Sequence, residues 1–228
     1  MTTFALIHGG AHGGWCWDDV VPLLRAEGHS TVAPDVPMGD PSLGAREWAQ
    51  VVADAIGDAT DVVAVAHSLG GMLLPVLASL RPLRRMVFVG AQVPLPGAVY
   101  YEYLATQQEA ITLTRDRLIF DEQGRSIVDW ETALEFFYAD CALESARRAF
   151  ERLRPVAPTV FLEQCPIDTW PDTPSSYILG TEDRAVGPAW SRRVCAERLG
   201  CVPIELPTSH SPFMSRPAEF VEALLAAV

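Results

Sequence analysis

The 228-residue sequence contains no lysine and no asparagine. All 17 basic residues are therefore arginine. Without an ε-amino group no Schiff base can form, which excludes pyridoxal-type chemistry, and a phosphate-binding P-loop is excluded because it needs its lysine. Without asparagine there is no acceptor for N-glycosylation. Long clean hydrophobic runs are also lacking, so no membrane span is expected. Positive charge is scarce beside the 29 acidic residues, leaving a net charge of −12. That balance disfavours nucleic acid or an anionic membrane as a partner. The five cysteines, at positions 16, 141, 165, 195 and 201, are too scattered for a zinc module, and their odd number fits a reducing compartment. Met1-Thr2-Thr3-Phe4 leads into an apolar segment with no basic region and no cleavable signal, so a cytoplasmic location is expected. A hydrophobic content of 49% over this length suits one core, and a single domain over 1–228 is expected. The oligomeric state stays open, a homodimer included.

The most informative segment is Val62-Val63-Ala64-Val65-Ala66-His67-Ser68-Leu69-Gly70-Gly71. It reads as a buried strand, a tight turn with Ser68 at its apex, and a helix. Such a nucleophile elbow leaves no room for side chains two before and two after the serine, and those positions hold Ala66 and Gly70. The helix that follows aims its free N–H groups at the reacting centre. The same pattern also fits an inert buried serine.

Two later segments bear on that choice. On this scaffold the chain order is Ser, acid, His. Ser175 to Gly180 reads as a strand running into Thr181-Glu182-Asp183-Arg184, and Cys201 to Leu206 as a strand followed by Pro207-Thr208-Ser209-His210-Ser211. Carboxyl ends of parallel strands share one sheet edge, so Ser68, Asp183 and His210 can converge. His210 would take the Ser68 proton, and Asp183 would fix its tautomer and stabilise the imidazolium. Taken alone, Asp183 could instead cap a helix starting at Pro188, and His210 could be a surface histidine.

A fourth part lies at the amino terminus, where the strand Thr3 to Ile7 breaks into His8-Gly9-Gly10-Ala11-His12-Gly13-Gly14-Trp15. Glycines let this backbone approach the serine and aim an N–H at a developing oxyanion. Gly10 is the expected first donor and Leu69, the residue after the nucleophile, the second. His8 and His12 sit on a glycine loop rather than a helix, so loop packing is expected of them before metal ligation.

Elsewhere strands and helices alternate. Helices are expected over Trp17–Glu27, Glu47–Ile56, from Leu69 onward with a kink at Pro75, from Pro188, and over Pro217–Ala227. Strands are expected near Ser30–Ala33 and at Arg85–Val89. Pro203 places the last strand at a sheet edge. The alternation fails from about Gln92 to Trp170. The fold class is therefore α/β: a mostly parallel sheet flanked by helices (core 1–91 and 171–228), with a helical lid inserted at about 92–170. The lid holds Tyr100, Tyr101, Tyr103, Trp130, Phe136, Phe137 and Tyr138. These could form an apolar cap over Ser68, with Trp130 a candidate substrate contact, or simply pack the lid onto the body.

These motifs resemble the α/β-hydrolases, in particular the compact branch of plant methyl-ester esterases and hydroxynitrile lyases. The matching pieces are Leu6 to Trp17, Ala66 to Gly71, Phe137-Tyr138-Ala139-Asp140-Cys141, Gly180 to Asp183 and Ser209 to Pro212. The resemblance spans essentially the whole chain. It implies a Ser–Asp–His triad, no metal, no cofactor and a small-molecule carbonyl substrate. Hydrolysis of a small carboxylic ester, lactone or thioester through acyl-Ser68 is the leading expectation. A carbon–carbon bond hydrolase with the same triad stays open. Hydroxynitrile lyases of this branch carry Thr and Lys where this chain has Gly9 and Ser211. Both positions are thus expected beside the substrate, and without the cation cyanohydrin cleavage loses its electrostatic aid. Readings of another class are a non-hydrolytic receptor or cyclase on this scaffold and a nicotinamide-dependent oxidoreductase. For the last, Gly9-x-Ala11-x-x-Gly14 lacks the middle glycine of a dinucleotide loop.

Overall fold

The run Val62 to Ala66 is apolar at every position because both faces of its strand are covered. In the computed structural model, which describes residues 1–107 and 109–228, β1 (Thr3–Ile7) leads through a 3-10 turn at Gly14–Trp17 to α1 (Val21–Ala26). Then come β2 (Ser30–Val32), α2 (Ala45–Ile56), β3 (Val62–His67), a 3-10 segment at Ser68–Leu73, α3 (Leu74–Leu80) and β4 (Arg85–Val89). The chain next leaves the sheet for α4 (Tyr100–Ala105), an antiparallel ribbon of β5 (Ile119–Phe120) and β6 (Ser126–Ile127), α5 (Trp130–Phe136), α6 (Leu143–Phe150) and α7 (Thr159–Leu162). It returns as β7 (Ser175–Gly180), α8 (Pro188–Val194), β8 (Ile204–Leu206), α9 (Pro212–Ser215) and α10 (Pro217–Ala226).

Six strands form one sheet in the order β2-β1-β3-β4-β7-β8, with every neighbouring pair parallel. Along β3 the side chains alternate between two cores. Val62, Ala64 and Ala66 join Trp48, Val52, Leu77 and Trp190 on the face covered by α2, α3 and α8. Val63 and Val65 join Trp17, Leu24, Phe213 and Phe220 on the face covered by α1, α9 and α10. A third cluster, including Ala133, Phe136, Tyr138, Ala146 and Ala149, holds α5 and α6 together in the inserted segment.

Three expected elements differ, each through proline. The helix expected over Trp17–Glu27 is a 3-10 turn and then α1, because Pro22, with no N–H, fits only the first helical turn. Pro75 does not kink a helix begun at Leu69. The elbow continues as 3-10 structure to Leu73, and Pro75 lies in the first turn of α3. The last strand is Ile204–Leu206, with Pro203 just before it, and β8 is the sheet edge. Among the described residues no helix is long and apolar enough to cross a membrane.

Candidate active site

Ser68 stands where the central strand β3 stops, and its φ is +50°. A non-glycine residue there costs about 1–2 kcal/mol, strain that persists only where the surroundings over-determine it. The surroundings are tight. A Cβ on Gly70 would lie 2.5 Å from the His8 carbonyl oxygen, and one on Gly9 would lie 2.9 Å from Ser68 Cβ. Glycine two residues after Ser68, and glycine at position 9 on the loop facing the turn, are thus steric requirements.

β7 and β8 deliver the other two groups to the same edge. His210 is 1% exposed, and its Nδ1–H donates to Asp183 Oδ2 at 2.8 Å. Asp183 Oδ1 accepts the N–H groups of Ala185 and Val186 at 2.8 and 3.0 Å. Those two bonds fix the carboxylate plane and leave its second oxygen facing His210. Asp183 therefore caps its own loop while orienting the imidazole. Behind them Gly90 has a φ of +48°, and a Cβ there would lie 2.8 Å from Asp183 Oδ2. His67 ties the elbow to the histidine loop: its Nε2–H donates to the His210 carbonyl at 3.0 Å, and the two rings lie 4.4 Å apart. Burial first, then the electrostatic influence of the neighbouring His210 and His12 rings, holds the His67 pKa well below its ordinary value.

The glycine loop is held by two neutral histidines. His8 Nε2 accepts the Val36 N–H at 2.9 Å, which puts its proton on Nδ1, donated to the Gly9 carbonyl at 2.8 Å. That carbonyl shares a planar peptide with the Gly10 N–H, so fixing one orients the other. The Gly10 N–H has no protein acceptor among the described residues. One step on, His12 Nδ1–H donates to the Gly10 carbonyl at 2.9 Å, while its Nε2 accepts the Tyr138 hydroxyl at 2.8 Å. Burial pushes His8 down to about 4 and His12 down to about 3, outweighing their bonds to carbonyls. The inserted segment touches this machinery at consecutive points. Phe137 lies 5.9 Å from the His210 ring, Tyr138 bonds His12, and Asp140 accepts the hydroxyl of Ser209, next to His210.

A cavity of about 710 Å³ opens above Ser68. Gly10, Ser68, Leu69 and His210 lie on its wall, and Asp183 sits behind His210. Most of the rest is apolar, including Leu104, Ile111, Leu113, Val128, Phe137 and Phe161. The three expected substrate contacts are not on this wall. Gly9 is packed beneath the elbow, where a Cβ would lie 2.7 Å from His67 Nδ1. Ser211 is fully buried at the start of α9. Trp130 stands at the start of α5, turned away: the Arg147 guanidinium covers its ring at 3.8 Å and Phe150 packs edge-on at 5.5 Å. That cation–π contact, not a substrate, occupies the indole.

Sequence reasoning missed Gln92 on the cavity wall and the linkage of Tyr138 to the glycine loop. Gln92 had a legible signal: it is the first polar residue after the apolar run Met86 to Ala91, at the carboxyl end of a sheet strand. The link from Tyr138 to His12 had none, since 126 residues separate the partners. Among the described residues no group of three or more His, Cys, Asp or Glu side chains is placed to hold a metal ion.

Known proteins resemble this chain over its whole length. The pyrethroid hydrolase of Sphingobium wenxiniae is 27% identical over 242 residues, covering 98% of this chain and 86% of its own. Methylesterase 18 of Arabidopsis thaliana is 25% identical over 257 residues, covering 98% and 96%. The crystal structure of a pyrethroid hydrolase from Sphingobium faniae superposes with a TM-score of 0.85 at 26% identity, covering 99% of this chain and 96% of that one. The model of the alpha/beta hydrolase family matches residues 4–223. The fold is accordingly the α/β-hydrolase fold, and the chain belongs to the alpha/beta hydrolase family.

Proposed function

We propose that this protein is a serine hydrolase that cleaves a carboxylic ester through an acyl-Ser68 intermediate. One observation carries the reading: strained Ser68 shares a cavity with His210, whose Nδ1 is held by buried Asp183 at 2.8 Å. In this reading His210 Nε2 accepts the Ser68 proton as Oγ attacks the ester carbonyl. The oxyanion takes hydrogen bonds from the N–H groups of Gly10 and Leu69, which cost no reorganisation because the glycine loop is already fixed. His210 then hands its proton to the departing alkoxide. Water, activated by the same imidazole, cleaves the acyl enzyme and restores Ser68. A lactone or thioester would follow the same path.

The relatives named as a pyrethroid hydrolase and a methylesterase support ester cleavage. The apolar cavity of about 710 Å³ favours an uncharged, bulkier ester than the small one expected from sequence. Cyanohydrin cleavage is disfavoured, since Ser211, next to His210, brings no charge to a leaving anion.

The test is turnover of uncharged aryl and alkyl esters by the protein and by Ser68→Ala, together with fluorophosphonate labelling. Loss of a nucleophile typically costs several powers of ten in rate. Near-normal turnover by Ser68→Ala, or labelling elsewhere than Ser68, would sink the reading.

A further inference from the structure

Two cysteines meet across one turn beside the edge strand, outside the cavity. After α8 the chain makes a single π turn at Cys195–Leu199, reverses at Gly200, whose φ is +62°, and runs on to β8. The reversal brings the Cys201 N–H onto the Cys195 carbonyl at 3.1 Å. Residues joined by such a bond have Cα atoms about 5–6 Å apart, a separation that a disulfide spans. Both cysteines are free, and Cys201 packs against the core cluster that contains Cys195. Cys195 is fully buried and Cys201 is half-buried. The Cys195 thiol donates to the Cys201 sulfur. That bond, against burial and with help from the Arg85 guanidinium, holds the Cys201 pKa below its ordinary value. The same bond, then burial, pushes Cys195 up. Burial pushes the other three thiols up, Cys141 to about 12.

We propose that Cys195 and Cys201 form a dithiol site that a low-molecular-weight disulfide oxidises to a reversible bridge, and that the bridge locks the turn between them. Cys201 is the point of entry, because it is the accessible member of the pair and the one whose thiolate is stabilised. Its sulfur attacks one sulfur of the reagent, breaks that S–S bond and expels one thiolate, which takes up the proton Cys201 has lost. Once Cys201 is a mixed disulfide, the bond that held the Cys195 proton is weakened. Cys195 then gives up that proton, attacks the Cys201 sulfur and expels the second thiolate. The two protein thiols lose two electrons and two protons, and the reagent carries them off as two thiols. The turn so closed holds Arg198, which donates to the Val93 carbonyl at 3.1 Å and to the Pro94 carbonyl, and lies over the Tyr103 ring at 5.3 Å. Val93 and Pro94 are where the chain leaves the sheet for the inserted segment, so the bridge fixes an anchor of that segment. The site stands apart from the ester-hydrolase reading and does not depend on it.

The probe is oxidised glutathione, added in excess to the reduced full chain at mildly alkaline pH. The protein is then unfolded, its remaining thiols are alkylated, and it is mapped by peptide mass spectrometry. The expected product has lost two hydrogens and carries one bridge, from Cys195 to Cys201, which dithiothreitol reopens. Cys16, Cys141 and Cys165 should all be alkylated. In Cys195→Ser the reaction should stop with one glutathione held on Cys201, and in Cys201→Ser the Cys195 thiol should stay reduced. The bridge closes a short loop, so the melting midpoint of the oxidised protein should rise by about 5 °C, a rise that dithiothreitol reverses and that neither variant shows. Alkylated Cys195 and Cys201, a bridge to any other cysteine, or glutathione retained on Cys201 of the unsubstituted protein would overturn the site. A bridged protein whose midpoint does not rise would overturn the lock. The mass measurement on the unsubstituted chain decides the site even where a variant fails to fold.

Discussion

Adding a single methyl group at Gly90 should damage the site from behind. Gly90 has a φ of +48°, and a Cβ there would lie 2.8 Å from Asp183 Oδ2 and 3.4 Å from His210 Nδ1. Carbon needs about 3.5 Å for unstrained contact, so the carboxylate must retreat by roughly half an ångström or more. It cannot do so freely, because Oδ1 is held by the Ala185 and Val186 amides. Gly90→Ala therefore combines a left-handed backbone cost of about 1–2 kcal/mol with an overpacking cost of about 1–3 kcal/mol. The expected loss of stability is about 2–5 kcal/mol. Displacing an orienting group by a fraction of an ångström to one ångström lowers the rate by up to about 10²-fold. The control is Gly200→Ala, at φ +62° and ψ +30° with nothing within 4 Å of the new methyl. It should lose only the backbone portion, about 1–2 kcal/mol, and keep full activity. Urea melts and kcat/KM on one aryl ester read both variants. Matching melts with unchanged kcat/KM in Gly90→Ala would refute the tight packing behind Asp183 and its role in orienting His210.

Three further outcomes are expected. Asp183→Asn should lose about 10⁴-fold in kcat by disturbing the His210 tautomer, whereas exposed Glu182→Gln should stay near normal; the reverse order would make Glu182 the orienting carboxylate. Tyr138→Phe removes the donor to His12 Nε2, which should cost about 1–3 kcal/mol of stability and lower kcat by about tenfold with KM little changed, as for a positioning residue. An effect confined to KM would instead place Tyr138 in substrate binding. Stability should also fall with acid above the carboxylate range. His8 and His12 are buried neutral, lowered from 6.5 to about 4 and about 3, so the unfolded chain binds more protons below pH 6.5. Their contribution is complete above the unfolded value and is lost as pH falls toward the folded ones, with a slope of up to about 1.4 kcal/mol per pH unit for each. Urea melts that stay flat from pH 7.5 to 5 would contradict burial in the neutral form.

Local patterns made much of this protein legible. Val62 to Ala66 announced a strand buried on both sides, because only such a strand is apolar at every position. Ala66 and Gly70 around Ser68 announced the tight turn, and at Gly70 the close approach of the His8 carbonyl leaves no room for a side chain. The breaks after Gly180 and Leu206 put Asp183 and His210 just past strand ends, and parallel pairing then brings those ends to one edge. Proline was harder to place. Its effect depends on whether it falls in the first turn of a helix or inside it, and the 3-10 extension of the elbow, which moves Pro75 to the first turn of α3, has no local signature.

Within the inserted segment the sequence determined only that aromatics would be plentiful. Which way each one faces is a matter of competing partners. Trp130 packs within the α5–α6 cluster with Phe150, and Arg147, one of the arginines that supply all the positive charge, covers its ring. Tyr138 turned inward because buried His12 offered an acceptor for its hydroxyl. The sequence by itself determined that Ser68, Asp183 and His210 follow strand ends, the tight turn at Ser68 and the absence of any lysine-based mechanism, since those follow from side-chain size, periodicity and composition. Only the tertiary structure decided the tautomers of His8 and His12, the close approach of Gly90 to Asp183, and the place of Gln92 in the cavity wall. Each depends on groups tens to more than a hundred residues apart meeting within hydrogen-bond or van der Waals distance, and no local pattern encodes such meetings.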